Sequence, residues 1–352
     1  MRRQSNNESN NITKKENKKS KIKIPVILVV ILLMIGLMQS EISNLQKVNQ
    51  ELQSTIDNLV TQQEETKAAI ISLQPEEEKK LTAAEEREEI CWEIIHDQYE
   101  NTHTAFYYVS LHNSLKQEAY DQILESIARK ENRSVDLSYE DFVEVVRAIE
   151  YDHPELFFVD FHKIIQKANK FDGEDIVEVV PYYFYNSSNT DDIKEQWEEI
   201  KAFREQTFKN ISDFSTQRDK FTIIFSEIAV NTRYTTNAEY GQSLYGVITG
   251  ETVCSGYAKM YQFLAHSCGE QTICARAKMI KTDPEEEDIY HLVNIVKLNS
   301  ENYIVDSTSA MRFNDDGTRT INYVRLLITK NIFNLMYEFT NDNVNSLVFA
   351  EA

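Results

Sequence analysis

Fifteen consecutive residues near the N-terminus, 24–38, carry no polar side chain, and this run constrains the whole chain. Eight of the 23 residues before it are Lys or Arg, and two are Glu. A helix of this length rises roughly 22 Å, and flanking lysines and interfacial polar residues extend its reach toward the ~30 Å hydrocarbon core of a bilayer. We therefore predict a transmembrane signal anchor over 24–40, a cytoplasmic tail at 1–23, and residues 41–352 on the outer side of the cell membrane.

A cleaved signal peptide is the alternative, because its apolar region has a similar length. The residues that follow the run are Gln39 and Ser40, and they form no small-x-small cleavage pair with Met38. The uncleaved anchor is therefore favoured, and the chain is expected to be a single-pass membrane protein.

Residues 42–73 repeat with a period of seven. The apolar a positions are Ile, at 42, 56 and 70, and the apolar d positions are Leu, at 45, 52, 59 and 73. This choice favours a parallel two-stranded coiled coil, in which Asn49 at an a position fixes the register. We predict a coiled-coil stalk over 41–75 and a possible parallel homodimer through it. A lone solvated helix is the alternative, because Gln63 and Thr66 weaken the middle of the seam.

The patterning changes after Pro75, which ends the seam. Residues 76–103 predict an acidic helical linker, 104–213 an N-terminal α/β segment, and 214–352 a domain in which a helix precedes antiparallel strands. That order is typical of the α+β class. Within these segments the runs of apolar and aromatic residues at 105–109, 156–161 and 321–328 predict strands.

Composition excludes several classes of protein. The formal net charge is −20, which argues against nucleic-acid binding, since phosphate contacts need a basic surface. Four cysteines in 352 residues are too few for a disulfide-built scaffold. No Cys or His spacing suits zinc, no Gly-rich phosphate loop is present, and we predict neither a metal nor a cofactor.

Three residues predict thiol chemistry in the last domain. Cys254 lies at the expected start of a helix, where free N–H groups and the helix dipole lower a thiol pKa. His291 begins a predicted strand, and Asp306 ends the next one. If the two strands pair as a hairpin, the carboxylate orients the imidazole, and the imidazole holds or takes the thiol proton.

The blocks around these residues resemble the transglutaminase-like superfamily. They are Cys254-Ser-Gly-Tyr-Ala, His291-Leu-Val-Asn294 and Val305-Asp306-Ser-Thr308, in that order. The segment Tyr151-Asp-His-Pro-Glu-Leu-Phe157 is similar to one in bacterial, membrane-anchored transglutaminase/protease-like proteins related to cytokinesis proteins. The resemblance covers roughly residues 104–310.

The resemblance implies a papain-like arrangement, with a Cys-bearing helix packed on an antiparallel sheet. Cys254 would be the nucleophile, His291 the general base and acid, and Asp306 the orienting residue. Gln242 is the candidate side-chain donor of an oxyanion hole, together with the backbone N–H of Cys254. The family commonly places Trp between the His and the Asn and again soon after the Asp, whereas Leu292 and Ser309 stand near those positions here.

Two classes of function follow. In the first, the protein is an extracytoplasmic thiol enzyme that forms a thioester on Cys254 and passes the acyl group to an amine or to water, acting on proteins or peptides at the cell envelope. In the second, it is a non-catalytic scaffold that recruits cell-wall or division proteins. Cys268 and Cys274 are interpreted as core thiols or as one disulfide, and Cys91 as packing or as a link between two chains.

Overall fold

The computed structural model describes residues 46–50, 52–56, 58, 60–62, 81–99, 105–167, 169–170, 176–179, 189–283, 285–313, 319–341 and 343–345. The chain divides into two compact units, with the boundary after Lys80. Each unit is described by itself below.

In the first unit, all the described residues, which lie between 46 and 62, are helical. Two residues of the predicted seam, Leu52 and Ile56, are 58% and 46% exposed in this single chain. Pairing of two such helices therefore stays a prediction. The predicted cytoplasmic tail and the anchor over 24–40 lie outside the described residues, and no helix within the described residues is long and apolar enough to cross a bilayer.

The second unit, from Leu81 onward, is a mixture of helices and strands. Its helices are α1 (Ala83–Tyr99), α2 (Phe106–Ser110), α3 (Ser114–Arg129), α4 (Tyr139–Asp152), α5 (Phe161–Lys167), α6 (Thr190–Phe208), α7 (Gln217–Asn231), α8 (Tyr245–Ile248), α9 (Cys254–Ser267) and α10 (Lys330–Phe333). Its strands are β1 (Arg133–Asp136), β2 (Asn169–Lys170), β3 (Ile176–Val179), β4 (Arg233–Tyr234), β5 (Glu251–Thr252), β6 (Thr272–Met279), β7 (Tyr290–Leu298), β8 (Glu301–Val305), β9 (Met311–Phe313), β10 (Arg319–Ile321) and β11 (Tyr337–Phe339).

The main sheet has four strands in the order β11-β6-β7-β8, and every neighbouring pair is antiparallel. α9 packs against β6 and β7. The predicted α+β class is therefore confirmed, and a helix that begins at Cys254 and packs on an antiparallel sheet is compatible with a transglutaminase-like core. Three smaller sheets, β1-β3-β2, β9-β10 and β4-β5, lie outside the main sheet.

Helices of the N-terminal segment and the sheet domain share one hydrophobic core. Trp197 of α6 is 1% exposed and stacks on Phe157, with the ring planes inclined by 6°. α1 begins in the acidic stretch but buries Ile90, Cys91 and Ile94 in the same core. Because the N-terminal segment and the sheet domain remove each other's apolar surface from water in this core, each stabilises the other.

The strand predicted at 105–109 is wrong, since residues 106–110 form the short helix α2. The carboxylate of Asp152 accepts hydrogen bonds from the backbone N–H groups of Tyr107 at 3.0 Å and of Tyr108 at 2.8 Å. A helix start has N–H groups without partners inside the helix, so this buried carboxylate stabilises a helix where the aromatic residues alone favour a strand.

Two other strand predictions also need correction. Residues 156–160 form turns with a single bridge residue, and α5 starts at Phe161; the N–H of Leu156 donates to the carbonyl of His153, and the N–H of Val159 to that of Leu156. In the stretch 321–328, Ile321 ends β10 and Ile328 forms an isolated antiparallel bridge with Ile304. Between them the Asn322 side chain accepts from the N–H of Val324 at 3.2 Å and starts a single 3-10 turn. There, and at 156–160, hydrogen bonds close along the chain replace a strand ladder.

Candidate active site

The structure places Cys254 at the first position of α9, as the sequence predicts. The start of this helix lies unusually close to the preceding loop. A Cβ on Gly256 would lie 2.0 Å from Oγ1 of Thr252 and 2.5 Å from the carbonyl oxygen of Ser243. Only glycine fits there, so Gly256 allows the close packing that fixes the end of the helix and with it the sulfur of Cys254.

His291 and Asp306 meet at the place where one strand ends. β8 pairs with β7 only from Asn294 onward, opposite Val305, so the start of β7 extends past the end of β8. Asp306 follows β8 directly, and its Oδ1 lies 3.0 Å from Nε2 of His291. The side chain of His291 is 13% exposed and that of Asp306 is 3% exposed. The hairpin assumed from the sequence brings the two side chains together.

The imidazole of His291 acts on the thiol of Cys254 by hydrogen bonding and by charge, and both lower the pKa of that thiol. Nε2 is engaged by Asp306, which leaves Nδ1 as the ring nitrogen available to the sulfur. Thiol, imidazole and carboxylate are therefore neighbours at the N-terminus of α9. This is the order of groups that an activated thiol requires: a nucleophile, its base, and a third group that orients the base.

The electrostatics of the site favour the ionised pair. Burial alone raises the pKa of the Cys254 thiol, but the hydrogen bond and positive charge of His291, with the N–H groups of Leu292 and Ser255, lower it below its ordinary value. Burial alone lowers the pKa of His291, but the hydrogen bonds and negative charges of Asp306 and Cys254 raise it to about 10. A thiolate beside an imidazolium is the reactive form of a cysteine nucleophile.

An aromatic ring covers the imidazole. Tyr337 of β11 stacks on His291, with ring centroids 5.3 Å apart and planes inclined by 24°. Phe333 in turn stacks on the ring of Tyr337, with centroids 5.2 Å apart. Tyr337 is not among the site residues predicted from the sequence, because the chain brings it to the site by pairing β11 with β6. An aromatic neighbour of the histidine is thus present even though Leu292 stands where a Trp is expected.

Cys254 opens into a cleft of about 280 Å³. One wall comes from the sheet and α9, through Leu292, Tyr290, Arg276, Ser255 and Lys259. The other wall comes from the N-terminal segment, through Arg147, Glu150, Tyr151, Val159, Phe161, His162 and Ile165. Positions 147, 150 and 151 share one face of α4, because residues three and four apart lie side by side on a helix. Of this wall, only the block that begins at Tyr151 was singled out from the sequence.

Gln242 lines the same cleft as Cys254, and its side chain is exposed. Its backbone carbonyl accepts a hydrogen bond from Nζ of Lys259 at 2.8 Å, and the same Nζ lies 2.8 Å from Oε1 of Glu150. The Lys259 side chain is only 5% exposed. A buried ion pair therefore holds the loop of Gln242 beside the thiol, while the oxyanion-hole role of the Gln242 amide stays a prediction.

The remaining cysteines and Asn294 have packing roles. All four cysteines are free thiols, so the alternative of a disulfide between Cys268 and Cys274 is not realised. Burial raises the pKa of Cys268 to about 11 and that of Cys91 to about 12. Asn294 donates to the carbonyl of Ala258 at 2.9 Å and ties β7 to α9. Among the residues that the structure describes, no group of three or more His, Cys, Asp or Glu side chains is placed to hold a metal.

Comparison with known proteins adds little to this geometry. No family model and no curated protein matches the sequence. A solved structure named "a Putative Cysteine Protease from Cytophaga hutchinsonii" is 15% identical, with a TM-score of 0.24 over 31% of this chain and 37% of that one. Another, named "a TGase", is 15% identical, with a TM-score of 0.27 over 40% of this chain and 43% of that one. The chain spans less than half the length of either protein, and likenesses of this strength do not establish a function.

Proposed function

We propose that this chain is a thiol enzyme of transglutaminase-like type, which forms a thioester on Cys254 and transfers the acyl group to an amine or to water. One observation carries the proposal: Nε2 of His291 lies 3.0 Å from the buried carboxylate of Asp306, and the same imidazole lowers the pKa of the Cys254 thiol at the start of α9. A buried thiol without such partners has a raised pKa, as Cys91 has in this chain, and is inert.

The first half of the reaction consumes a carboxamide or a peptide bond. The thiolate of Cys254 attacks the carbonyl carbon, and the carbonyl oxygen becomes an oxyanion, for which the N–H of Cys254 and the amide of Gln242 are the candidate donors. The C–N bond then breaks as the imidazolium of His291 gives its proton to the leaving nitrogen. The products are a thioester on Cys254, a free amine or ammonia, and a neutral imidazole.

The second half restores the thiolate. An amine or a water molecule enters the cleft, His291 takes its proton, and the nucleophile attacks the thioester carbon. The C–S bond breaks and the thiolate returns to its place beside the imidazolium. An amine acceptor gives an amide crosslink and water gives hydrolysis. Asp306 keeps its hydrogen bond with His291 throughout and stabilises the imidazolium of each resting state.

The test is labelling of the full chain by a thiol-directed electrophile at neutral pH, with detection of the modified peptide. Cys254 is expected to react at pH 7, while Cys268 serves as an internal control, because burial raises its pKa to about 11. Cys254→Ala should remove both the label and any acyl transfer. Labelling of Cys268 with no reaction at Cys254 would favour the non-catalytic scaffold instead.

We further propose that an anchor at 24–40 holds the enzyme on the outer side of the cell membrane, where protein or peptide substrates of the envelope meet it. The support is the basic flank before the apolar run. Protease added to intact cells should remove the globular unit. A protected C-terminus would refute both the topology and an envelope substrate.

We also propose that residues 42–73 pair two chains in parallel. The support is the alternation of Ile and Leu in the seam. Ile56→Asp should shift the full chain in detergent from dimer to monomer in sedimentation. A wild-type chain that is already monomeric would refute the stalk dimer.

A further inference from the structure

Two arginines from different elements line the cleft beside Cys254. Arg147 lies on α4 and Arg276 on β6. Both arginines, together with Tyr151, also line a second cavity of about 240 Å³. Both side chains are only partly exposed. The guanidinium of Arg276 lies over the ring of Tyr290, 3.6 Å from its centroid. The two arginines thus stand at the junction of the two cavities.

Nearby carboxylates do not pair directly with either arginine, although the charge of Glu150 acts on Arg276. Glu150 is bound by Lys259 at 2.8 Å, and Glu144, on the rim of the second cavity, is bound by Lys116 at 2.7 Å. The remaining acidic side chain of that rim, Glu140, is exposed to solvent. Within the part of the chain that the structure describes, neither arginine forms an ion pair with a carboxylate.

Two like charges at the junction repel each other. Burial lowers the pKa of Arg276, and the positive charge of Arg147 lowers it further. The molecule as a whole is strongly acidic, with a formal net charge of −20, so its long-range field repels anions. A local pair of half-buried guanidiniums in such a protein is therefore a selective place for one anionic group of the correct geometry.

We propose that Arg147 and Arg276 bind a carboxylate of the acyl donor, so that the substrates of Cys254 carry an acidic group close to the carbonyl that reacts. This inference rests on the proposed thiol chemistry and defines its substrate class. A planar guanidinium offers two parallel N–H donors that match the two oxygens of a carboxylate. The second cavity gives room for the part of the substrate beyond that group.

The test compares two reagents that differ by one charge. Iodoacetate and iodoacetamide alkylate the same thiol, and the ratio of their rates at Cys254 in the full chain measures the attraction of a carboxylate to the cleft. We expect Arg147→Gln or Arg276→Gln to lower that ratio about tenfold, since each variant loses a charge-assisted hydrogen bond to the carboxylate, and tenfold corresponds to ~1.4 kcal/mol. His291 attracts iodoacetate in all variants alike.

Lys278→Gln is the matched control. Lys278 lies two residues after Arg276 on the same strand, and its charge is paired with Asp288 at 3.1 Å, so its loss should leave the ratio within about twofold of the wild type. Arg147→Lys keeps the charge without the planar fork and should give an intermediate ratio. A ratio that is unchanged in both glutamine variants overturns the proposal and leaves the thiol chemistry standing.

A second measurement does not need the thiol. Glutarate, a dicarboxylate, should raise the unfolding temperature of the Cys254→Ala chain, and its neutral diamide should not, because a ligand that binds only the folded state stabilises it. The added Arg147→Gln change should remove the effect of glutarate. If the thiol proves inert to both alkylating reagents, the proposed enzyme activity fails, and the glutarate result alone then decides whether the carboxylate site exists.

Two peptides distinguish the two sources of a carboxylate. One carries an internal Glu with blocked ends, and the other carries no acidic side chain but a free C-terminus. Protection of Cys254 from iodoacetamide by the first indicates an acidic side chain, and by the second a C-terminal carboxylate. Protection by neither peptide, or equal protection in the Arg147→Gln chain, refutes carboxylate recognition.

Discussion

Replacing Asp306 by Asn is expected to make Cys254 less reactive at neutral pH and equally reactive at alkaline pH. The change preserves the shape of the side chain and removes its charge 3.0 Å from Nε2 of His291. The imidazolium then loses its stabilising partner, so its pKa falls. A neutral imidazole no longer stabilises the thiolate by charge, so the pKa of the thiol rises toward its ordinary value.

The magnitude follows from the burial of the pair. A charge-assisted hydrogen bond contributes roughly 1.5–3 kcal/mol, and solvent screens this one little, since the Asp306 side chain is 3% exposed. At 1.36 kcal/mol per pKa unit, the pKa values shift by about one to two units. The substitution removes both the attraction between Asp306 and the imidazolium and the repulsion between Asp306 and the thiolate. The lost attraction is the larger effect, because the thiolate lies farther from Asp306 than the imidazole does. At a pH below both thiol pKa values, the thiolate fraction then falls about ten- to a hundredfold.

The assay is the rate of iodoacetamide alkylation of Cys254 as a function of pH, followed on the modified peptide. The rates of wild type and Asp306→Asn should differ most at neutral pH and converge above the usual thiol pKa of about 8.5. Asp288→Asn is the control, because it removes the same charge from an exposed turn, where Asp288 pairs with Lys278 and Lys281. A parallel loss of rate at every pH, or an unchanged profile, would refute the electrostatic role of Asp306.

The remaining predictions test the packing around the site. Gly256→Ala places a Cβ 2.0 Å from Oγ1 of Thr252, so it should lower the free energy of unfolding by about 1–3 kcal/mol in urea denaturation, and full stability would contradict the close approach. Asp152→Ala leaves two backbone N–H groups of α2 and a Tyr hydroxyl short of an acceptor and should cost about 2–4 kcal/mol by the same measure; an unchanged midpoint would mean that α2 needs no such acceptor. Tyr337→Ala should slow alkylation of Cys254 severalfold by releasing the imidazole of His291, whereas Tyr337→Phe should not, since the stacked ring remains.

The positions of the chemical groups were largely predictable, because local signals set them. A cysteine before a helical run predicts the start of α9, and the mostly apolar run after His291 predicts the strand β7, near whose start His291 lies. The hairpin that follows then determines that His291 and Asp306 meet. These inferences need only hydrophobic periodicity and the pairing of consecutive strands.

The rest of the site depends on contacts between distant parts of the chain. Tyr337 reaches His291 through the pairing of β11 with β6, and Arg147 reaches the cleft because α4 packs against β6. No local pattern encodes either contact. The wrong strand prediction at 105–109 has the same origin, since the carboxylate that stabilises a helix there belongs to Asp152, more than forty residues later.

The two walls of the cleft have different roles, and this difference affects how the sequence of such a protein can change during evolution. The residues proposed for the chemistry all lie between 242 and 306, whereas the facing wall, at 147–165, supplies shape and charge but no reacting group. Mutational drift in the facing wall therefore changes which molecules are accepted while the thiol, its base and their electrostatics persist. Proteins that descend from one ancestor would keep the same reaction chemistry and differ first in substrate specificity.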